Sequence, residues 1–520
     1  MLADHGVIIR TALIAALGGF LMGFDASVIS GVVGFIEVEF SLSKIELGWS
    51  VASLAFAATL AMLAAGPLSD RFGRKPILRC AAVLFAISAI ASAFAPSFEA
   101  LIIARIIGGL GVGAALIVAP MYIAEIAPAA SRGRMVSINQ LNIVIGISTA
   151  FFSNYLILKL GQSEAHWVQG LSLDSDSWRW MLGVELLPAI AYFFCLRFVP
   201  ESPRWLVMRG EQHRAREVLA IFNGPDQSEA ELNMINSSIE SAAATSRSGF
   251  RELLEPALRK VMVIGLLVAI LQQITGINAV FFYAPMIFEQ SGIGTDASFM
   301  QAVLVGLTNL AFTIVAMALI DKLGRKPLLV FGVAGMAVSM LLLSWGFGQA
   351  SYTIDADVLA ALPATINAAA LDPLMDLTFD SDLAFRAALI ENLGQESFLT
   401  FESDLLRNAI AIQPGIILAG ILGFVACFAV SIGPVMWVLF SELFPNKVRA
   451  VAISIVGLVN SAISFLVQLL FPWQLANLGN SFTFLAYGCF ALLGLGLILW
   501  LLPETRGKTL EELETTLVGH

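Results

Sequence analysis

The segment DRFGRKP, residues 70–76, returns as DKLGRKP at 321–327, and this echo decides how the rest of the chain is read. Two further echoes keep the same order. Glu125 and Arg132, seven residues apart, return as Glu442 and Arg449, and PESPRWL at 200 returns as PETRGKTL at 503. The offset between copies grows from 251 for the first echo to 317 for the second. One inserted segment at 349–411 accounts for the growth, so the chain reads as a duplicated unit carrying a single insertion.

Each copy of the unit is too apolar for water. Hydrophobic residues make up 58% of the chain and charged residues 13%, against roughly half and a quarter in soluble domains. A helix needs about 20 apolar residues to cross a bilayer. Twelve runs qualify, at 10–34, 46–68, 77–95, 99–123, 134–158, 179–199, 260–289, 298–320, 327–347, 413–441, 449–471 and 481–502. The expected fold is therefore an all-α membrane protein with two six-helix halves. The N-terminus lacks the pattern of a cleaved signal peptide, so the first span is expected to direct insertion itself. Loops after even-numbered spans carry the basic residues, which places both termini and the 200–258 loop in the cytoplasm. The expected organisation is a six-helix bundle over 1–199, cytoplasmic loop helices over 200–258, a second bundle over 259–502, and a cytoplasmic tail over 503–520.

Parallel repeats of this kind point to transport, with the substrate site near the midplane between the halves. The net charge of −10 says little about that core, because the 349–411 segment holds ten carboxylates against Arg386 and Arg407. It is expected on the extracytoplasmic face, with short amphipathic helices in DLAFRAALIENLG and ESDLLRNAIAI. A lid, a docking surface and a neutral insertion all remain open for it, the last being the default. Cys80, Cys195, Cys427 and Cys489 lack metal-site spacing and read as small buried hydrophobes. No Walker A sequence is present, and nothing implies a cofactor, a metal or a nucleic-acid partner.

Two charges stand out inside the spans of the first half, Asp25 in span 1 and Arg105 in span 4, read as the only strong charges deep in that half. A charge at the centre of a bilayer costs on the order of 2.5–3.5 kcal/mol on insertion scales. Counted at 1.5 Å per residue, Asp25 lies about 22 Å along its span from the cytoplasm and Arg105 about 9 Å in from outside. Both fall in the outer half of the membrane, so they can pair across the cleft and lower each other's burial cost. The pair is either a structural tie or a protonation switch in which Asp25 takes a proton and releases Arg105.

Span 7 carries three amides, Gln272, Gln273 and Asn278. Amides both donate and accept hydrogen bonds, which suits adjacent hydroxyls of a sugar, although they also serve as glue between helices. A break at Gly276 would turn them toward one cavity. On the cytoplasmic side, Asp70, Arg74, Glu125, Arg132 and Glu201 of the first half face Asp321, Arg325, Glu442, Arg449 and Glu504 of the second. Carboxylate–guanidinium contacts between the two sets are expected to close the inner mouth in the outward-open state and to part when it opens inward.

RFGRKP after span 2, RIIGGLGVG and PMYIAEIAP in span 4, PESPRWL, QQITGINAVFFYAP in span 7, DKLGRKP and PETRGKTLEE occur in order over nearly the whole chain. In these motifs the chain resembles the sugar porter family of the major facilitator superfamily, and most of all its proton-coupled bacterial members. The resemblance implies the major facilitator fold, alternating access, no enzymatic step, a monosaccharide and a proton as partners in a lipid membrane, and a monomer. It assigns Asp25 and Arg105 to proton coupling. It assigns Gln140, Gln272, Gln273, Asn278, Asn309, Trp437 and Asn460 to the sugar and Tyr283 to the outer gate. Phe282 and Ser461 depart from the residues common in the family. A uniporter, a polyol symporter and a membrane sugar sensor are the alternatives.

Overall fold

In the computed structural model, twelve helices among the described residues are long and apolar enough to cross a membrane. The structure describes residues 5–128, 132–245, 256–363, 365–445 and 448–506. Spans 1–6 are Gly6–Gly31, Lys44–Phe72, Arg74–Ala93, Phe98–Ile126, Met135–Gly161 and Ser177–Phe198. Spans 7–12 are Leu258–Phe282, Thr295–Ile320, Arg325–Gly348, Pro414–Leu443, Val451–Leu478 and Asn480–Leu501. Their large outward-facing side chains, such as Phe331, Leu493 and Trp500, are apolar and exposed, as a lipid-facing belt requires. Cys80 and Cys489 also face outward, whereas Cys195 and Cys427 are half-buried. The expectation of four buried thiols therefore fails, since lipid accepts a small apolar side chain as readily as a core does.

Local signals set the helix ends. Ser43 accepts a hydrogen bond from the Glu46 N–H at 3.3 Å, and the Glu46 carboxylate accepts one from the Ser43 N–H at 2.8 Å. This capping box starts span 2 and satisfies two otherwise unpaired groups. Ser97 caps span 4 more simply, its hydroxyl accepting from the Ala100 N–H at 3.4 Å. Span 7 departs from the continuous 260–289 run. It breaks at Gly276, which sits in the left-handed region at φ 91°, and resumes as Ile277–Phe282 and Ala284–Glu289. A residue with a Cβ is strained there, so glycine is what allows the break.

The loops after even-numbered spans lie on one face, here called the basic-loop face, and the insertion lies on the other, the insertion face. The helices Pro203–Met208, Gln212–Asn223 and Pro225–Thr245 follow span 6 on the basic-loop face and share a small core of Leu206, Ala215, Leu219 and Leu232. The expected tail from 507 onward lies outside the described residues.

The apolar core joins the halves unevenly. One cluster runs from Val28, Val33, Ile36 and Trp178, near the insertion face of the first half, into Phe288, Phe299, Phe471 and Phe484 of the second. The other, with Leu21, Phe85, Tyr122 and Tyr192, belongs to the first half alone. The halves are thus sealed together toward the insertion face.

The insertion folds as a unit with its own core of Tyr352, Leu371, Phe385, Leu389 and Leu405. Its two expected helices are present, as Asp382–Leu393 and Gln395–Ala409. A small antiparallel sheet was not expected. Its central strand Ser351–Thr353 pairs Tyr352 with Phe379 on one side and with Ile410 on the other. Strands of two or three residues are too short for an alternating pattern to show in sequence.

Candidate functional site

Asp25 and Arg105 meet. The Arg105 Nη1 donates to Asp25 Oδ1 at 2.5 Å and to the Asp25 carbonyl at 3.1 Å, and both side chains are 1% exposed. They touch directly between spans 1 and 4, inside the first bundle, rather than across the central cleft. A buried pair at this distance offsets the desolvation of both ions only if their remaining polar atoms find partners. Here they do not: Asp25 Oδ2, Arg105 Nε and Arg105 Nη2 are buried without a hydrogen bond. The pair is therefore held, but its remaining polar atoms are not satisfied.

A third charge, not among those expected, lies beside them. Glu185 of span 6 is 2% exposed, interacts electrostatically with both Asp25 and Arg105, and leaves Oε1 without a partner. Arg105 is thus not the only other charge deep in this half. The same signal that singled out Asp25, a carboxylate inside an apolar run, was present at 185.

The second cluster lies in the other half. Asn460 Nδ2 donates to Gln272 Oε1 at 2.8 Å, and Gln273 Nε2 donates to Asn460 Oδ1 at 3.2 Å. Asn278 Nδ2 donates to Gln273 Oε1 at 2.7 Å and to Ser464 Oγ at 2.6 Å. The break at Gly276 is what brings Asn278 back beside Gln273. Ser464 and Gln468 extend the chain along span 11, with Gln468 Nε2 donating to Ser464 Oγ at 2.8 Å. Neither was anticipated, because single hydroxyls and amides in a span look like helix glue. Tyr283 is fully buried, donates to the Gln468 carbonyl at 2.9 Å and lies against Phe471. Chemically, the cluster is a row of amides that can exchange bonds among themselves for bonds to hydroxyls.

The remaining expected contacts stay apart from this network. Gln140 is half-buried and Asn309 is buried, and neither makes a side-chain hydrogen bond among the described residues. Trp437 is 44% exposed and packs edge-on to Phe440.

The charges on the basic-loop face form two matching clusters. In the first half, Arg74 reaches Glu125 at 2.8 Å and Asp70 at 2.9 Å, and Ser202 donates to Glu125 at 2.5 Å. In the second, Arg325 reaches Glu442 at 2.7 Å, and Thr505 donates to Glu442 at 2.7 Å. Glu201 accepts from the N–H groups of Arg74, Lys75 and Ser202, and Glu504 from those of Arg325, Lys326, Thr505 and Arg506. Burial pushes the Glu201 carboxyl up. At the less buried Glu504, burial works the same way, but its four N–H donors outweigh it and hold the carboxyl below its ordinary range.

The expected latch is a contact of the conformer whose inner mouth is closed; this structure is sealed toward the insertion face instead. Among the described residues, the ion pairs on this face join groups of the same half, not of opposite halves. The carboxylates stand next to the guanidiniums of their own repeat because spans 2, 3 and 4 of a bundle converge there. Arg449 donates to the Phe444 carbonyl at 3.0 Å, also within its own half. The side chains of Arg132 and Asp321 lie outside the described residues.

Two six-helix bundles, one enclosing a buried charge cluster and the other a broken helix lined with amides, define a membrane transporter of the two-bundle type. The sequence matches the family described as "Sugar (and other) transporter" over residues 11–365 and 398–517. It is 35% identical over 509 residues to the arabinose-proton symporter of Bacillus subtilis, covering 98% of this chain and 95% of that one. It is 34% identical over 508 residues to a glucose transport protein of Synechocystis sp., covering 96% and 95%. The fold resembles that of the xylose transporter of E. coli in a partially occluded inward open conformation. The TM-score there is 0.74 at 33% identity, covering 97% of this chain and 100% of that one. The chain belongs to the sugar porter family of the major facilitator superfamily; it is a multi-pass membrane transporter of the sugar class and not an enzyme.

Proposed function

We propose that the protein carries a monosaccharide, a hexose or pentose, together with a proton across the cell membrane by alternating access, with the basic-loop face and both termini in the cytoplasm. The buried Asp25–Arg105 contact, with Glu185 beside it, carries this reading. One cation and two carboxyls in a desolvated space are neutral overall when they hold one proton. A second proton, taken by Asp25, leaves the Arg105 guanidinium uncompensated and free of its short bond. The bundle then relaxes by letting spans 1 and 4 shift, and that shift couples protonation to the choice of open mouth.

The amides Gln272, Gln273, Asn278 and Asn460, joined by Gln140, Asn309 and Trp437 on closure, take the sugar. Each hydroxyl needs both a donor and an acceptor, and an amide supplies both; the Trp437 ring can cover an apolar sugar face. Tyr283 closes the outer side over the sugar. Asp70, Arg74, Glu125 and Glu201 in one half, and Arg325, Glu442, Arg449 and Glu504 in the other, keep the basic-loop ends of each half rigid as the inner mouth opens and closes. The protein works as a monomer, since each half contributes one side of a single site.

Uptake into proteoliposomes with a panel of labelled sugars tests this reading. An imposed gradient of one pH unit, acid outside, should drive accumulation up to about tenfold above the outside concentration. Asp25→Asn should reduce this to equilibration while leaving sugar exchange intact. Equal accumulation with and without the gradient would mean a uniporter, binding without flux a sensor, and uptake confined to inositol-like rings a polyol carrier.

A further inference from the structure

The insertion is fixed to the second half. Asp382 accepts from the Asn480 N–H at 3.0 Å at the start of span 12, and the strand Ile410–Ala411 leads directly into span 10. One ionic chain leaves it for the first half. Arg386 Nη1 donates to Glu402 Oε1, both within the insertion. The other oxygen, Glu402 Oε2, accepts from Lys44 Nζ at 2.9 Å, and Lys44 also donates to Glu37 at 2.6 Å. Lys44 and Glu37 flank the turn between spans 1 and 2. Their side chains, with those of Glu402 and Arg386, are between 8% and 20% exposed. Beneath them lies a cavity of about 200 Å³ bordered by Glu37, Lys44, Glu289, Phe299 and Leu406, with walls from both halves and the insertion.

We propose that the 349–411 insertion is a working part of the outer gate: Glu402, positioned by Arg386, clasps the second half to Lys44 of the first, and this bond breaks each time the insertion-face mouth opens. The proposal rests on the alternating-access reading above. The chain of four charges is built for reversible use. When the halves part, Lys44 keeps Glu37 and Glu402 keeps Arg386, so no buried charge is left alone. That removes the large penalty that follows when one partner of a desolvated pair is simply taken away. Lys44 and Glu402 therefore bias the outer mouth toward closure without locking it. A neutral surface insertion needs no such partner in the opposite half.

Pulsed electron paramagnetic resonance on purified protein tests the clasp. Spin labels go on Glu164→Cys of the first half and Asp380→Cys of the insertion, both exposed, with the four native cysteines changed to serine. Lys44→Met should raise the ratio of the longer to the shorter distance about tenfold, within the usual range of coupling between states. Lys44→Arg should preserve the original distribution. Glu402→Gln, nearly isosteric and so less disruptive to folding, should shift the ratio in the same direction, and the double variant should go no further than the larger single one. An unchanged distance distribution in Glu402→Gln and Lys44→Met overturns the proposal. The measurement needs neither sugar nor a proton gradient. Unchanged distances with gradient-driven uptake intact therefore sink the clasp alone, whereas shifted distances without gradient dependence sink the coupling alone.

Discussion

On the insertion face, Lys44 and Lys159 of the first half reach Glu402 and Asp296 of the second; on the basic-loop face, Arg74 and Arg325 reach Glu125 and Glu442 of their own halves. Both faces carry cation–carboxylate pairs, but the topological meaning is opposite. A pair that crosses between halves stabilises one conformer over another. A pair inside a half travels with it and stabilises every conformer alike. The apolar contacts follow the same division. Trp49 and Phe56 of span 2 pack on Phe465 of span 11, and Ser148 of span 5 donates to the Gly306 carbonyl of span 8 at 2.8 Å. The structure is accordingly closed toward the insertion, and its basic-loop charges stiffen two bodies that are free to separate.

Four substitutions bear on this contrast. Arg74→Ala removes one partner of a nearly fully buried pair and should cost about 3–5 kcal/mol, seen as a lower thermal midpoint of the purified protein. Arg325→Ala should cost less, because that side chain is 12% exposed against 3% for Arg74. If either variant instead shifted the distance between halves and left the midpoint alone, the basic-loop pairs would belong to the gate after all. Gly48→Leu attacks the other face. A Cβ at Gly48 would stand 1.9 Å from the Leu469 carbonyl oxygen across the interface. Overpacking of that kind should cost about 1–3 kcal/mol against the closed insertion-face mouth. Net uptake should then fall while sugar binding to detergent-solubilised protein persists, and normal uptake would mean the spans do not need this approach. Lys159→Ala sets the lower limit. Its pair with Asp296 is roughly 40% exposed on each side, so the loss should be about 0–1 kcal/mol and should vanish in high salt. An effect as large as that of Lys44→Met would show that exposure does not rank the cross-half pairs.

Much of the site was legible because membranes make polar residues conspicuous. Asp25, Arg105, Gln272, Gln273 and Asn278 each interrupt an apolar run, and the structure brings the first two into contact and the last three into one network. Glu185 obeys the same rule, a carboxylate inside an apolar run. Ser202 and Thr505 could have been found as the hydroxyls that follow the glutamates of PES and PET in the two repeats. Ser464 and Gln468 could not, since their type and spacing fit ordinary interhelical bonding. The expected cross-half latch is a contact of the other conformer, so the pairs seen on this face are those within each half. Repetition fixes which residues are equivalent, but equivalent residues need not touch, and each guanidinium found the nearest carboxylate of its own bundle.

By itself, the sequence determined twelve lipid-length helices, their duplication, the depth of the charges and the position of the insertion. All of these follow from composition, period and the cost of charge in hydrocarbon, which act locally along the chain. Tertiary structure alone decided which half each ion pairs with, that span 7 folds its amides onto span 11, and that Glu402 meets Lys44. Those contacts join segments far apart in the chain, and only the packing of one bundle against the other sets their distance.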